Sequence, residues 1–240
     1  MRWTMAIMLA LLILKVNGQP KQLDTARDGF WFKWVKEKAR KMKLPDMAAC
    51  NDTFHMRLWG LGGVVLDCID IYGSPDSDLR ATISFYTEEQ VPATEAPTYR
   101  AFSKKTNLPK GAALKIYGLL KADSIIDMPS EEKIKGWEQG LDGNEYLVEY
   151  STPDIYACRS YWTPAAQKEL REAKLILDCF EKLNTIPGIK QIAVSFDHEI
   201  PFESYWAGGM YVKIRWKETS AQRKKYKKER DLYRKSLHLN

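Results

Sequence analysis

Apolar residues that recur every three or four positions predict three amphipathic helices in this chain. In the first, Asp28 is a suitable N-cap, and in the second Thr163 and Pro164 supply an N-cap and a first helical residue. The third is rich in lysine and arginine and has only a thin apolar stripe, which predicts a helix that is marginal on its own. The predicted helices span residues 28–43, about 164–183 and 220–237.

Strand-like segments occupy the sequence between these helices. They are short, rich in β-branched and aromatic residues, and separated by turns that contain glycine, proline or aspartate. Residues 109–127 fit a strand or a short helix, because a brief apolar run does not distinguish the two. We expect one α+β domain over residues 19–240, with a mainly antiparallel sheet (a meander and a hairpin) covered by helices on one face. The predicted strands are residues 54–59, 64–72, 79–86, 145–150, 155–162, 189–195 and 211–216.

The N-terminus has the layout of a secretion signal. An apolar run extends from Met5 to Leu14, and its ten residues are too few to cross a bilayer, which needs roughly 20. Side chains of modest size precede a possible cleavage position after Gly18. We therefore predict that residues 1–18 are a cleaved signal peptide and that the protein is secreted or periplasmic. An uncleaved anchor is the alternative, since Lys15 and the absence of Ala-x-Ala weaken the cleavage site.

An even number of cysteines in an exported chain permits disulfides. The four cysteines allow three pairings, and pairing between sequence neighbours, Cys50 with Cys68 and Cys158 with Cys179, is favoured. Four buried free thiols are the alternative, because a cysteine on a strand and one deep in the following helix lie too far apart for a disulfide. The chain has no C-x-x-C motif, so we expect neither a metal site nor a cofactor.

Charge is concentrated at the two ends of the predicted mature chain. Residues 21–43 carry a net charge of +5 and residues 217–240 one of +6, which leaves residues 44–216 at −7. The basic segments fit three interpretations: solvated helices, helices that contact the acidic body, or helices that contact an anionic surface such as membrane headgroups or polyanionic glycans. For the first helix we expect docking on the core, with an interfacial helix as the alternative. Nucleic acid is disfavoured as a partner, because the chain is predicted to be exported and its body is acidic.

The densest cluster of residues that can transfer protons or bind a metal is Asp197, His198 and Glu199. Neighbouring side chains on a strand alternate between its faces, so these three would converge only on a loop. Convergence would support an envelope hydrolase or a metal-dependent enzyme, whereas a merely exposed loop would give the cluster no function. His55 and His238 are the other histidines, and neither belongs to a recognised motif.

Aromatic residues are concentrated in and beside the predicted strands at 145–150 and 155–162. Such residues can form a platform for a carbohydrate or a peptide, or they can fill a core. The favoured function is therefore a non-catalytic exported binding protein with an unknown protein or glycan ligand. A peripheral membrane protein held by its basic terminal helices is a further alternative. The candidate platform consists of Trp137, Tyr146, Tyr156, Tyr161 and Trp162.

Residues 136–183 combine two motifs, G-W-x-x-G-L-D-G-x-E-Y-x-x-E-Y and Y-x-C-x-S-Y-W-T-P, with a following amphipathic helix. This segment resembles uncharacterised bacterial proteins in which a Trp, a Leu-Asp-Gly turn, a strand that ends in Glu and a Trp-x-Pro precede a helix. The resemblance covers about 50 residues and implies a small α+β unit in a bacterial setting, without any activity. The matching residues are Trp137, Leu141, Asp142, Gly143, Tyr146, Glu149, Tyr156, Trp162 and Pro164.

Overall fold

The computed structural model describes most of the chain that follows the predicted signal peptide. Residues 1–18, Asp28 and His238 lie outside the described ranges, so the predictions made for them stay predictions. Within those ranges, no helix combines the length and the apolarity needed to cross a membrane. The ranges are residues 21–25, 29–60, 66–91, 95, 97–140, 143–207, 211–214 and 219–237.

Seven strands form a mainly antiparallel sheet in the order β1-β7-β6-β2-β3-β4-β5, and β1 alone pairs in parallel, with β7. The predicted hairpin is confirmed, because β6 and β7 are antiparallel neighbours. Strands β8 and β9 form a separate hairpin. The strands are β1 (Gln22–Thr25), β2 (Phe54–Trp59), β3 (Leu66–Gly73), β4 (Leu79–Glu88), β5 (Ala101–Asn107), β6 (Glu145–Ser151), β7 (Ile155–Trp162), β8 (Ser204–Ala207) and β9 (Tyr211–Ile214).

The described residues also form five α-helices and two single-turn 3₁₀ helices, which confirms the α+β class. The ambiguous segment at 109–127 contains a helix, and the basic C-terminal helix has the predicted bounds. The α-helices are α1 (Phe30–Lys41), α2 (Lys110–Ala122), α3 (Arg171–Asn184), α4 (Ile189–Glu199) and α5 (Ser220–Leu237), and the 3₁₀ helices are Glu131–Lys133 and Pro164–Ala166.

Helices cover both faces of the seven-stranded sheet, so the expectation of a sheet covered on one face was wrong. The larger apolar core lies between one face and helices α2, α3 and α4. A smaller core lies on the other face, where α1 contributes Val35 and Ala39. Because side chains alternate between the two faces, a strand in the middle of such a sheet is buried along its whole length. Accordingly, all six residues of β2 are buried.

Helix α1 docks on the smaller core, as predicted. Its Trp34 ring contacts the Trp59 ring of β2 edge to face, at a centroid distance of 5.7 Å. Its basic side chains reach acidic groups of the body, with Lys41 Nζ 2.9 Å from Glu88 Oε1. Burial raises the pKa of Glu88, but the hydrogen bond from the Tyr86 hydroxyl and the Lys41 ammonium outweigh burial, so that its pKa lies below the usual value.

Residues 189–195 are helical, so the strand predicted there was wrong. Gly188 has a φ of 95°, which turns the chain after α3 and lets a new helix begin. Along α4, Ile189 and Phe196 are buried in the larger core and Ile192 packs against it. These residues are at positions i, i+3 and i+7, which lie on one face of a helix. Their packing on the core favours a helix in a segment that is too short for its apolar period to distinguish helix from strand.

The central helix begins later than predicted. Thr163 has a φ of 39° and makes no capping hydrogen bond. Its hydroxyl instead accepts a hydrogen bond from the Asn144 backbone N–H at 3.0 Å, and its own N–H donates to the Asn144 carbonyl at 2.7 Å. Thr163 therefore closes the open end of the β6–β7 hairpin. Pro164 opens only a 3₁₀ turn, and α3 begins at Arg171.

Candidate functional site

The predicted cluster Asp197, His198 and Glu199 lies on the last turn of α4 and does not converge. Asp197 accepts a hydrogen bond from the Tyr205 hydroxyl, whereas Glu199 accepts one from Lys104 Nζ at 2.6 Å. His198 is exposed. Successive residues of an α-helix point about 100° apart, so these side chains have separate surroundings. The prediction that they could form a catalytic or metal site is not supported.

The predicted aromatic platform is divided between the two faces of the sheet. Tyr161 is fully buried in the larger core, with Trp137 and Tyr146 packed against that core. Tyr156 is fully buried in the smaller core, on the opposite face. Trp162 is half-buried, and its backbone carbonyl accepts a hydrogen bond from the Trp137 indole at 3.1 Å. The five residues therefore do not share one face of the sheet, and four of them pack in or against its two cores.

All four cysteines lie within the described ranges, and each is a free thiol. Neither of the favoured pairings is formed in the structure. Cys158 lies in the smaller core and Cys179 in the larger one, so the sheet separates them. Burial raises the pKa of the Cys179 thiol to about 12 and also raises the pKa of Cys68 and Cys158. Cys50 is the one cysteine with partial exposure.

A buried network of charged side chains lies on the sheet face that carries the smaller core. Arg57 on β2 is directly opposite Asp70 on β3 and Glu149 on β6. Its guanidinium donates from Nε to Asp70 Oδ1 at 2.6 Å and from Nη1 to Glu149 Oε2 at 3.5 Å. All three side chains are almost completely buried. One guanidinium thus joins two carboxylates across three strands, and buried carboxylates need such partners.

Two aromatic residues complete the hydrogen bonding of Glu149. Its carboxylate accepts hydrogen bonds from Trp59 Nε1 and from the Tyr156 hydroxyl, both at 2.8 Å. Burial, together with the nearby Glu149 charge, raises the pKa of Tyr156 far above its usual value. Tyr156 is therefore held as a neutral phenol that donates to the network.

His55 joins the network at its other end. Its Nε2 lies 3.0 Å from Asp70 Oδ1, and its Nδ1 lies 3.0 Å from Asp52 Oδ2. Burial lowers the pKa of His55, but hydrogen bonds with Asp70 and Cys50 outweigh burial and bring the pKa to about 9. Burial likewise raises the pKa of Asp70, but the Arg57 and His55 charges outweigh it and lower the pKa. At neutral pH an imidazolium therefore donates to both carboxylates.

A thiol, a carboxylate and an imidazole meet where this network approaches the surface. Cys50 and Asp52 lie in the loop between α1 and β2, and His55 is the second residue of β2. One potential ligand atom from each lies within 4.8 Å of the other two, and no other such group of three occurs among the described residues. The sequence analysis missed this cluster. The available signal was the spacing Cys-x-Asp-x-x-His, which places three donors within six residues.

The C-terminal helix α5 attaches to the acidic body through two arginines. Arg230 is only 4 % exposed, with guanidinium nitrogens 3.4 Å from Glu95 Oε1 and 3.4 Å from Glu203 Oε2. Arg234 Nη2 lies 3.2 Å from Glu95 Oε2. The interpretation of basic ends that contact the acidic body therefore describes α1 and the inner side of α5.

The outer side of α5 carries lysines that have no salt-bridge partner among the residues that the structure describes. Four of its exposed lysines, defined here as the outer lysines, make no salt bridge with any residue in the described ranges. Leu232, which is 57 % exposed, lies among them. Their spacings of three, four and seven residues put them on one side of the helix. The outer lysines are Lys224, Lys227, Lys228 and Lys235.

The described residues therefore present two features without an assigned role, the Cys50–Asp52–His55 cluster and the outer lysines of α5. The sequence offered an anionic surface as one partner for the basic C-terminal helix, whereas it gave no function to the Cys50–Asp52–His55 cluster. A scan against models of known protein families and a search of the curated proteins found no match to this chain, and the bacterial resemblance of residues 136–183 stays a prediction.

Proposed function

We propose that this chain is a non-catalytic exported interaction protein that attaches to an anionic membrane surface through the outer lysines of α5. The observation that carries the proposal is the asymmetry of this helix. Its inner arginines are matched by Glu95 and Glu203, whereas its outer lysines make no salt bridge with any described residue. Unmatched positive charge on one side of a docked helix is available to an external anionic partner.

The shape of the lysine row favours an extended partner over a small ligand. From Lys224 to Lys235 the helix advances eleven residues, or about 16 Å at 1.5 Å per residue. Four exposed side chains along one side of a helix suit contact with a flat, extended surface. Leu232 adds an exposed apolar side chain that can enter the boundary between headgroups and acyl chains. A hydrated glycan would gain little from that leucine, so a membrane is the favoured partner.

The expected attraction is moderate and depends on salt. A basic side chain next to an anionic membrane contributes about 1 kcal/mol. The four outer lysines would therefore contribute about 4 kcal/mol, or roughly a thousandfold in the partition coefficient. Such charge attraction extends over a Debye length, which is about 8 Å at physiological ionic strength and about 3 Å at 1 M salt. Binding should therefore be reversible.

One further observation and one prediction from the sequence support an exported interaction protein. The separation of the side chains of Asp197, His198 and Glu199 removes the sequence basis for the hydrolase alternative. The predicted signal peptide at residues 1–18 supports a location outside the cytoplasm, where lipid headgroups and glycans are accessible.

Vesicle co-sedimentation tests the proposal. The bound fraction of wild-type protein is measured with vesicles of phosphatidylglycerol and phosphatidylcholine, and with phosphatidylcholine alone, at low and high salt. Replacing all four outer lysines by glutamine should lower the partition coefficient by at least about a hundredfold. The matched control carries the same charge change on exposed lysines of other helices and should bind like the wild type: Lys115, Lys121, Lys174 and Lys190 to Gln.

Equal binding by the outer-lysine variant and the control variant would contradict the proposal. Binding that persists at high salt, or that ignores the anionic lipid, would contradict it as well. If the wild type bound immobilised heparin but no vesicles, the partner would be a polyanionic glycan, and the membrane assignment would be wrong.

A further inference from the structure

The Cys50–Asp52–His55 cluster brings together three side chains that all bind metal ions. Their ligand atoms are one sulfur, one oxygen and one nitrogen, each within 4.8 Å of the other two. Cys50 and Asp52 are partly exposed, so an ion from solution can reach the cluster, while His55 forms its buried base. Two of the three ligands belong to a loop, which can adjust by the small distance needed to close around an ion.

A carboxylate holds the imidazole of His55 on the side away from the cluster, as is usual for histidines that bind metals. Its Nε2 lies 3.0 Å from Asp70 Oδ1, and Asp70 is held by Arg57 Nε at 2.6 Å. A carboxylate at one ring nitrogen fixes the ring and increases the basicity of the other nitrogen. The other ring nitrogen, Nδ1, faces the cluster and lies 3.0 Å from Asp52 Oδ2.

The donor set selects the kind of ion. Thiolate and imidazole donors suit Zn²⁺ and neighbouring transition metals, whereas Mg²⁺ and Ca²⁺ require oxygen donors throughout. With metal–ligand bonds of about 2.0–2.3 Å, ligand atoms around tetrahedral Zn²⁺ are roughly 3.3–3.7 Å apart. We propose that Cys50, Asp52 and His55 form a Zn²⁺ site with three protein ligands and one open coordination position.

The positive charge of Lys21 lies close to the proposed site and gives a way to test its position. Its Nζ lies 2.6 Å from Ser151 Oγ and 3.3 Å from the Met47 carbonyl oxygen, at the same loop. The ammonium interacts electrostatically with Cys50 and Asp52. A cation bound by those two residues is therefore repelled by Lys21. Replacing Lys21 by methionine should tighten Zn²⁺ binding, by about threefold to tenfold.

Metal titration tests the site. Zn²⁺ binding to the reduced full chain is measured by calorimetry at about pH 8, where thiol and imidazole release their protons more readily to a metal. One ion per chain is expected. Cys50→Ser and Asp52→Asn should each weaken binding at least about tenfold, and both leave the Asp70–Arg57 pair intact. His55→Gln should weaken binding as well. Its matched control is His198→Gln, which removes an exposed histidine on α4 and should bind Zn²⁺ like the wild type.

Co²⁺ provides a second readout that reports the ligands themselves. The wild type should show the sulfur-to-metal charge-transfer absorption of a thiolate ligand, and Cys50→Ser should lack it. Circular dichroism of each variant establishes that it is folded. Stoichiometry near zero, or unchanged Zn²⁺ affinity in Cys50→Ser and Asp52→Asn, would overturn the site. Unchanged affinity in Lys21→Met would place the ion elsewhere. None of these results depends on membrane binding.

Discussion

Removal of the Arg57 guanidinium should destabilise the protein more than removal of any exposed arginine. Arg57 is 0 % exposed and faces two buried carboxylates, those of Asp70 and Glu149. Arg57→Met keeps the aliphatic volume but removes the cation that the two carboxylates share, which leaves Asp70 with His55 and Glu149 with the neutral donors Trp59 and Tyr156. Breaking a buried ion pair on one side costs about 3–5 kcal/mol, since the remaining charge stays buried. We expect a loss of that size in the free energy of unfolding.

Arg80 offers a matched control with nearly the same contact distance. Its Nη2 lies 2.5 Å from Asp78 Oδ2, but the two side chains are 63 % and 64 % exposed. An exposed ion pair contributes about 0–1 kcal/mol, because water solvates each charge in the absence of the other. Arg80→Met should therefore lose less than about 1 kcal/mol. Burial and the second carboxylate partner of Arg57 separate the two predictions, since residue type and contact distance are alike.

Equilibrium urea unfolding at pH 7, followed by tryptophan fluorescence, gives the free energy of unfolding for each variant. Adding Glu149→Gln to Arg57→Met should recover part of the loss, because the buried charge that keeps only the neutral donors Trp59 and Tyr156 disappears. Equal losses in Arg57→Met and Arg80→Met would refute the reasoning. So would a double variant that is less stable than Arg57→Met.

Three further predictions concern thiols, glycines and pH. A thiol reagent should modify one cysteine quickly in the native protein, Cys50, and all four after unfolding, because the other three are buried; four slow thiols would contradict this. Gly140→Ala should destabilise the protein by about 1 kcal/mol or more, because a Cβ there collides with the Trp162 ring. Gly118→Ala in α2, where a Cβ meets nothing within 4 Å, should stabilise it by about 0.4–1 kcal/mol; equal urea midpoints would refute the contrast. Glu88 has a folded pKa below its usual value of about 4.3, so its contacts add stability above that pH and lose it as pH falls through the folded pKa. Glu88→Gln should therefore be less stable than the wild type at pH 7 and lose less stability on acidification, and parallel pH profiles of unfolding would exclude this role.

Local patterns were sufficient wherever one element could be recognised on its own. The bounds of α5 follow from the helix-prone sequence at 220–237, and the hairpin of β6 and β7 follows from two short strands joined by a turn. Strand β5 was missed because its sequence, Ala-Phe-Ser-Lys-Lys-Thr-Asn, is polar and half-exposed at the edge of the sheet. Residues 189–195 were assigned wrongly, because their helical character depends on burial of Ile189 and Phe196.

The candidate sites depend on alignment between elements, which no local pattern contains. Arg57 meets Glu149 only through the pairing of β2 with β6, and the two residues are 92 positions apart in the sequence. The sequence shows that α5 is basic. Only the structure shows which of its cations pair with a carboxylate, as Arg230 and Arg234 do with Glu95, and which of its lysines have no such partner among the described residues. Cys50 and His55 are close in the sequence, but their spacing is not that of a zinc finger. For this reason the sequence did not predict that they form a cluster.

The position of Arg57 between two partner strands also has a consequence for strand alignment. If β2 shifted by one residue against β3, Arg57 would lie opposite Ile69 or Ile71. The same shift against β6 would bring it opposite Val148 or Tyr150. A shift of one residue would therefore bury the Arg57 guanidinium away from both Asp70 and Glu149 and leave these carboxylates without it. An apolar sheet centre would tolerate such a shift more readily. Arg57, Asp70 and Glu149 therefore favour the native strand alignment over its one-residue shifts.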